Sequence, residues 1–212
     1  MKKYLNNYIN NDIKLNKRQK IGIICSIISI SGVFGFLYEF IFYFFNSGMK
    51  EFYYRGGNFL PWINIYAYGA LLIIFLTYKR RKHPLQVFLI GAIVCGILEL
   101  IGGILMDQFS DVRCWSYNEE ILNFGNIGGF VCLRSVLFFG LSGLFLMYGI
   151  LPFLIWLSNK MNDKLFMIIS IIICAVFLID EIYNLIITKM FNLPRASEIY
   201  KKHGLKYIYF KK

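Results

Sequence analysis

Residues 32–45 have the sequence GVFGFLYEFIFYFF, and this stretch decides the fold. Every residue in it is apolar, aromatic or glycine except Glu39. It lies inside a longer apolar block, 21–45, and a membrane-crossing helix needs about 20 mostly apolar residues. The sequence therefore predicts a membrane helix that carries a carboxylate, and the position of this carboxylate needs an explanation.

The composition extends this interpretation to the whole chain. Of the 212 residues 58% are hydrophobic and only 17% are charged, whereas soluble domains carry about 25% charged residues. Lipid cannot satisfy backbone polar groups, so helices are expected, and the alternating pattern of a membrane β-barrel is absent from the sequence. We predict an all-α polytopic membrane protein with about five transmembrane helices and two aromatic-rich outer loops. The apolar blocks are 21–45, 62–78, 85–106, 130–157 and 165–188, of which the second is marginal in length.

The charged residues divide the chain into three parts. We predict a basic cytoplasmic N-terminal segment at 1–20, a five-helix membrane domain at 21–188 and a basic, aromatic C-terminal tail at 189–212. The first apolar block follows a polar segment and is too long for the core of a cleavable signal peptide, so we expect it to be retained.

The distribution of Lys and Arg predicts the orientation. Cytoplasmic loops are enriched in these residues, and the first twenty residues, the 79–82 connection and the connection with Lys160 and Lys164 are all basic. We therefore expect a multi-pass protein of the cell membrane with a cytoplasmic N-terminus. The C-terminal tail is also basic, although five spans would place it on the side opposite to the N-terminus. Either a basic tail is tolerated on that side or the number of spans is wrong. The net charge of +11 favours the surface of the lipid bilayer, rather than nucleic acid, as the partner.

Ionisable residues inside the predicted spans are the main functional signal. A charge at mid-membrane costs about 2.5–3.5 kcal/mol and usually faces a bundle interior or a wet cavity. Helical spacing puts Glu39 on one face with Gly35, and Glu99 on one face with Gly96, and small residues let helices approach closely. We expect both carboxylates to point into the bundle, with Glu39 facing Arg134. The buried charges, all toward the outer ends of their spans, are Glu39, Glu99, Arg134, Asp180 and Glu181.

Two interpretations of these charges remain open. Each could belong to a structural ion pair that fixes helix register. Alternatively they form a polar cavity, and because one arginine cannot neutralise four carboxylates, some would be protonated or would bind a cation or a cationic substrate. No metal-ligand spacing occurs and no cofactor is expected. Cys114 and Cys132 fall near one face, and whether they pair is open.

Five motifs occur in a fixed order between residues 32 and 155: GFLYE, RGG…PW.NIYAYGA, LELIGGILMD, VRCWSY and N.GG..CL. In this order they resemble the bacterial membrane family described as "putative ABC-transporter type IV", which also takes in the animal transmembrane protein 229 group. Ser116 and Cys114 depart from the family pattern, which usually has aspartate and tryptophan there.

The resemblance implies a set of substrate-binding candidates, to which the buried charges add two more. Catalytic residues stay unknown. The positions that match the family are Glu39, Arg55, Gly56, Tyr66, Glu99, Arg113, Trp115, Tyr117 and Asn126, and the two additions are Arg134 and Asp180.

The resemblance implies a permease-like transport component of the bacterial inner membrane, with a buried carboxylate and arginine cluster in the outer half of the membrane. The sequence has no GxxxxGK[ST] motif, so a separate ATPase subunit would be needed, and five spans are few for a lone transporter, which favours a homo-oligomer or a partner. A small membrane scaffold or accessory subunit remains an alternative. An intramembrane enzyme acting on a lipid-linked substrate is another, although no nucleophile–base pair is visible.

Overall fold

The computed structural model describes residues 2–109 and 115–206, and these residues are largely helical. They contain no strand, and an isolated bridge joins Ile127 to Val131. Two π-helical turns, Leu146–Ile150 and Tyr183–Ile187, continue the helices that precede them. The helices are α1 Lys2–Asn10, α2 Lys17–Asn46, α3 Asn64–Thr77, α4 Pro84–Phe109, α5 Leu133–Phe145, α6 Leu151–Lys160, α7 Asp163–Ile182, α8 Thr188–Phe191 and α9 Ala196–Lys202.

Four helical segments among the described residues are long and apolar enough to cross a membrane. They are α2, α4, the continuous helix Leu133–Lys160 and the continuous helix Asp163–Phe191. The predicted second span corresponds to α3, whose 14 residues rise only about 21 Å, although it connects the same two ends of the bundle. The predicted all-α membrane fold with about five crossings is therefore confirmed, with one crossing shorter than a typical span.

The bundle is organised around α2. This helix packs against α3, α6 and α7, while α4 packs against α3 and α5. The core contains fully buried apolar side chains such as Ile27 and Ile155. Large apolar side chains also cover the outer surface, where Phe75 is 83% and Ile179 66% exposed, as expected of a multi-pass membrane protein whose solvent is lipid.

One end of the bundle, called here the basic end, gathers α1, the turn 78–83 and the α6–α7 turn. Arg81 holds the first two together, because its Nε donates to the carbonyl oxygen of Tyr8 at 2.9 Å and its Nη2 contacts Asp12 at 2.8 Å. Gln19 near the start of α2 donates to Asn159 Oδ1 at 2.7 Å. These contacts fix the N-terminus beside both connections that the sequence assigned to the same side.

The opposite end, called here the loop end, contains the loops 47–63 and 115–132 and the segment 192–206. The hydroxyl of Tyr200 donates to the Phe59 carbonyl at 2.6 Å, the Tyr54 amide donates to the Lys206 carbonyl at 2.9 Å, and Lys206 pairs with Glu51. The basic C-terminal segment therefore lies at the end opposite to α1, as an odd number of crossings requires. Residues 207–212 of the predicted tail lie outside the described residues.

Asp180 on α7 holds the turn of the loop 47–63. Its carboxylate accepts hydrogen bonds from the amides of Phe59 and Leu60, both at 2.9 Å, and from Trp62 Nε1 at 3.0 Å. The side chain of Asn184 donates to the same carboxylate at 2.8 Å. Asp180 therefore satisfies four donors, of which those of Trp62 and Asn184 are buried, and it fixes the loop from which α3 begins.

We expect Asp180→Ala to destabilise the fold by roughly 2–4 kcal/mol, because each buried donor that loses its acceptor costs about 1–3 kcal/mol. Asp163→Ala is the matched control, since Asp163 makes only exposed contacts, with Arg18 at 3.7 Å and with Asn16 Nδ2 at 3.1 Å, and exposed ion pairs are worth less than about 1 kcal/mol. Thermal unfolding in detergent measures both. Equal losses would show that the Asp180 contacts do not support the fold.

Candidate functional site

The site begins with the close approach of α2 and α3. A Cβ atom added at Gly35 would lie 2.2 Å from Cδ2 of Tyr66, so only glycine leaves room for this ring. The hydroxyl of Tyr66 points toward Glu39, one turn further along α2, and donates to its Oε1 at 3.3 Å. The small-residue face predicted for α2 thus seats an aromatic ring beside the buried carboxylate.

Glu39 forms an ion pair with Arg55 from the loop 47–63. Arg55 Nε lies 2.9 Å from Glu39 Oε2, and the guanidinium lies 4.3 Å from the centre of the Tyr43 ring. Burial lowers the pKa of Arg55, but the adjacent Tyr43 and Glu39 raise it more, so the guanidinium stays charged. Gly56 follows with φ +91, and a Cβ there would meet the Trp62 carbonyl oxygen at 2.6 Å. This glycine therefore allows the turn that brings Arg55 inward.

A second ion pair joins the loop 115–132 to α5. Arg134 Nη2 lies 2.5 Å from Glu120 Oε2, and the hydroxyl of Tyr43 donates to Glu120 Oε1. Burial raises the pKa of Glu120 above its ordinary value, while the hydrogen bond from Tyr43 and the charge of Arg134 oppose this shift. Tyr43 contacts both pairs, because Arg55 Nη2 lies 3.4 Å from the same hydroxyl. The two pairs therefore form one continuous network.

Glu99 on α4 is held by neutral groups. The hydroxyl of Tyr117 donates to its Oε1 at 2.5 Å, and Ser135 Oγ donates to its Oε2 at 2.8 Å. Burial raises the pKa of Tyr117 well above its ordinary value, so this hydroxyl remains a donor. No cation among the described residues contacts Glu99, which distinguishes this carboxylate from Glu39 and Glu120.

These groups line a small, partly open cavity of about 40 Å³ at the loop end of the bundle, called here the polar cavity, which has room for a few water molecules. Arg134 lines it with its guanidinium 3.9 Å from the centre of the Phe42 ring, and its Nε and Nη1 are buried without a hydrogen-bond partner in the protein. Its lining consists of Tyr38, Glu39, Phe42, Tyr43, Arg55, Ile65, Tyr66, Glu99, Trp115, Tyr117, Glu120, Arg134, Ser135, Phe138 and Phe139.

The lining combines charged and aromatic groups. Arg134 and Glu39 lie on it beside several aromatic rings. Across residues 2–109 and 115–206, no group of three His, Cys, Asp or Glu residues is close enough to hold a metal ion.

The structure brings seven of the eleven candidates together in this cavity. Three others lie elsewhere: Gly56 supports the first loop, Asp180 holds the turn at Phe59, and Asn126 accepts from the Gly129 amide at 2.8 Å in the second loop. Arg113 lies outside the described residues, as does Cys114, so whether Cys114 pairs with Cys132 stays open. The seven are Glu39, Arg55, Tyr66, Glu99, Trp115, Tyr117 and Arg134.

The pairing inside the cavity differs from the expected one. We expected Arg134 to face Glu39, but Arg55 occupies that position and Arg134 pairs with Glu120. Glu120 was not among the candidates, because the adjacent Glu119 is equally acidic and the loop has no helical period to show which side chain turns inward. In the structure Glu120 is 7% exposed and Glu119 is exposed.

The fold and cavity define a class, a multi-pass helical membrane protein with a charged cavity at one end. A model of the family described as "Putative ABC-transporter type IV" matches residues 26–185. The chain belongs to this family. Neither the curated proteins nor the solved structures give a match to the chain.

We expect Gly35→Ala to cost about 1–3 kcal/mol, because the added Cβ forces the Tyr66 ring out of its position. Gly102→Ala is the matched control on α4, where the Cβ would lie 3.6 Å from Ile65 Cδ1, an ordinary contact. Alanine is favoured over glycine in a helix by about 1 kcal/mol, so this control should be neutral or stabilising. Thermal unfolding of both variants in detergent provides the measurement. A neutral Gly35→Ala would contradict the close α2–α3 approach.

Proposed function

We propose that the chain is a permease-like transport component and that the polar cavity is its substrate-binding site. The observation that carries this proposal concerns Arg134. Its side chain lines the cavity, and its buried Nε and Nη1 donate to no acceptor in the protein. Buried polar atoms are nearly always satisfied in native proteins. A substrate with acceptor oxygens would satisfy these two.

Energetics favour a functional role for the cluster. The lining holds three carboxylates and two guanidinium groups, namely Glu39, Glu99, Glu120, Arg55 and Arg134. Removing an ion from water costs several kcal/mol even after relaxation, and apolar residues would pack the same volume with equal or greater stability. A purely structural bundle has no need of this cluster, whereas a path for a polar substrate does.

The scaffold alternative makes a different demand on the cavity. A scaffold would use the buried charges as a closed network, with each donor satisfied inside the protein. Glu39 and Glu120 fit that description, since both are paired. Arg134 does not fit it, because two of its three guanidinium nitrogens have no partner in the protein. The intramembrane-enzyme alternative has one hydroxyl beside a carboxylate to draw on, because Ser135 Oγ donates to Glu99 Oε2 at 2.8 Å in the cavity.

The basic end would contact a separate ATPase subunit. Lys79, Arg80 and Lys82 are exposed there, while Arg81 between them is buried and holds the turn against α1. A rigid turn with three exposed cations suits docking to an acidic surface. We further propose that a second copy of the chain or a partner subunit completes the transport path.

The basic end would face the cytoplasm, so that the polar cavity opens toward the outer face. The charge distribution supports this orientation, because the basic end holds α1, the 78–83 turn and the connection with Lys160 and Lys164. Lys and Arg in short loops favour the cytoplasmic side.

The docking proposal predicts that an ATPase subunit co-purifies with the chain from its native host in mild detergent, in near-stoichiometric amount by quantitative mass spectrometry. The triple variant Lys79→Ala, Arg80→Ala, Lys82→Ala should reduce its recovery at least tenfold. The double variant Lys160→Ala, Lys164→Ala removes exposed charge at the same end and should retain it. The absence of any ATPase from the wild-type preparation would refute the permease role.

The orientation predicts which positions a membrane-impermeant maleimide reaches in intact cells. In a background without native cysteines, Asn118→Cys at the loop end should react, and Lys82→Cys at the basic end should react only after permeabilisation. Both positions are exposed. The reverse labelling pattern would overturn the proposed orientation.

A further inference from the structure

Glu99 differs from the other two carboxylates of the polar cavity, because it is buried without a compensating charge. Glu39 pairs with Arg55 and Glu120 pairs with Arg134, so each of these cations is matched by one carboxylate. Glu99 is 6% exposed, and no cation among the described residues forms an ion pair with it. A buried carboxylate without a cationic partner is costly when ionised, and such a group usually takes up a proton instead.

The hydrogen-bond geometry around Glu99 has a place for this proton. Ser135 Oγ carries one hydrogen, yet it lies 2.8 Å from Glu99 Oε2 and 2.9 Å from the Cys132 carbonyl oxygen. If Glu99 is ionised, one of these two close oxygen–oxygen contacts has no hydrogen between its atoms. A proton on Glu99 Oε2 fills both contacts, because Glu99 then donates to Ser135 and Ser135 donates to Cys132. The Tyr117 hydroxyl, 2.5 Å from Oε1, donates to the other carboxyl oxygen.

The size of the polar cavity suits the exchange of a proton. At about 40 Å³ the cavity has room for a few water molecules, and it is partly open. Glu99 belongs to its lining. Water in the cavity can therefore bring a proton to this carboxylate and carry it away.

The remaining titratable groups around Glu99 are neutral near pH 7, because tyrosine and cysteine side chains ordinarily ionise at a higher pH. They do not supply the missing positive charge. These groups are Tyr38 and Tyr43 on α2, Tyr66 on α3, Tyr117 in the loop 115–132 and Cys95, one turn before Glu99 on α4.

We propose that Glu99 is a proton-binding site, which is occupied near neutral pH and exchanges its proton with water in the polar cavity. On release, the O–H bond of Glu99 breaks and the proton passes to water. The hydrogen of Ser135 then turns from the Cys132 carbonyl to the carboxylate, and three carboxylates face two guanidinium groups in the lining. A proton site of this kind goes beyond the proposed function and does not depend on which substrate the chain transports.

Infrared spectroscopy of the full-length protein in a maltoside detergent, which has no carbonyl group, tests this site. At pH about 7, far above the ordinary glutamate pKa of about 4.3, the wild type should show the C=O stretching band of a protonated carboxylic acid. Glu99→Gln should lose the absorbance of one carboxylic acid per chain, and its amide can replace both hydrogen bonds of the acid. Glu119→Gln is the matched control, since Glu119 is exposed, and it should keep the band.

Two results of this measurement would overturn the proposal. One is the absence of the band from the wild type. The other is equal absorbance in the wild type and Glu99→Gln, which would place the proton on another buried carboxyl group such as that of Glu181. Transfer of the wild type into D₂O tests the exchange itself. The band should move to lower wavenumber, and a band that does not move would refute exchange with water.

A serine variant tests the place of the proton. Ser135→Ala removes its proposed acceptor, so the C=O band should move to higher wavenumber as the hydrogen bond is lost. Ser142→Ala is the matched control on α5, because Ser142 Oγ has no hydrogen-bond partner among the described residues, and the band should stay in place. An unchanged band in Ser135→Ala would contradict the proton on Oε2.

The pH dependence of unfolding gives a second readout. Glutamate in an unfolded chain titrates near pH 4.3, so above about this pH the folded protein holds one proton more than the unfolded chain, until Glu99 releases it. Stability therefore falls as the pH rises across this range. Between pH about 5 and about 8 the unfolding temperature of the wild type should fall further than that of Glu99→Gln. Parallel curves would refute an occupied site near neutral pH.

The proton site and the permease role can fail separately. If the infrared band is absent but an ATPase subunit still co-purifies, only the proton site is refuted. If the band is present and no ATPase co-purifies, only the permease role is refuted.

Discussion

The structure depends on the pairing of charges inside a bundle that lipid surrounds. An unpaired ion in that environment costs several kcal/mol, so each buried charge dictates where its partner must lie. Glu39 draws Arg55 inward from the first loop, and Arg134 draws Glu120 inward from the second. Tyr43 contacts both pairs. The loops 47–63 and 115–132 are therefore fixed to the helices by the charges that line the polar cavity.

Helical period explains why the sequence predicts the inward direction of Glu39 and Glu99. The spacing that places Gly35 beside Glu39 on one face of α2 is local, and no knowledge of other helices is needed to infer that a small-residue face packs closely. The same holds for the membrane crossings, which follow from the length of each apolar block. Even the short α3 was visible in advance as a marginal block at 62–78.

Loop paths explain why the pairing could not be predicted. Arg134 pairs with the carboxylate that the loop 115–132 brings to it. The path of this loop depends on local turns, such as the one in which Asn126 accepts from the Gly129 amide, and no helical periodicity in the sequence predicts it. Asp180 illustrates the same limit. In the sequence it is one more buried carboxylate. In the structure its oxygens accept hydrogen bonds from the amides of Phe59 and Leu60, on a loop more than a hundred residues away. Only the folded structure shows that Asp180 supports a loop whereas Glu39 lines the cavity.

The short α3 has a consequence for the surrounding lipid. Its rise of about 21 Å falls roughly 9 Å below the thickness of a typical hydrocarbon layer. A bilayer that thins locally around α3 relieves this mismatch at a cost of fractions of a kcal/mol per ångström. Bilayer thickness therefore acts on the same helix that forms one wall of the polar cavity.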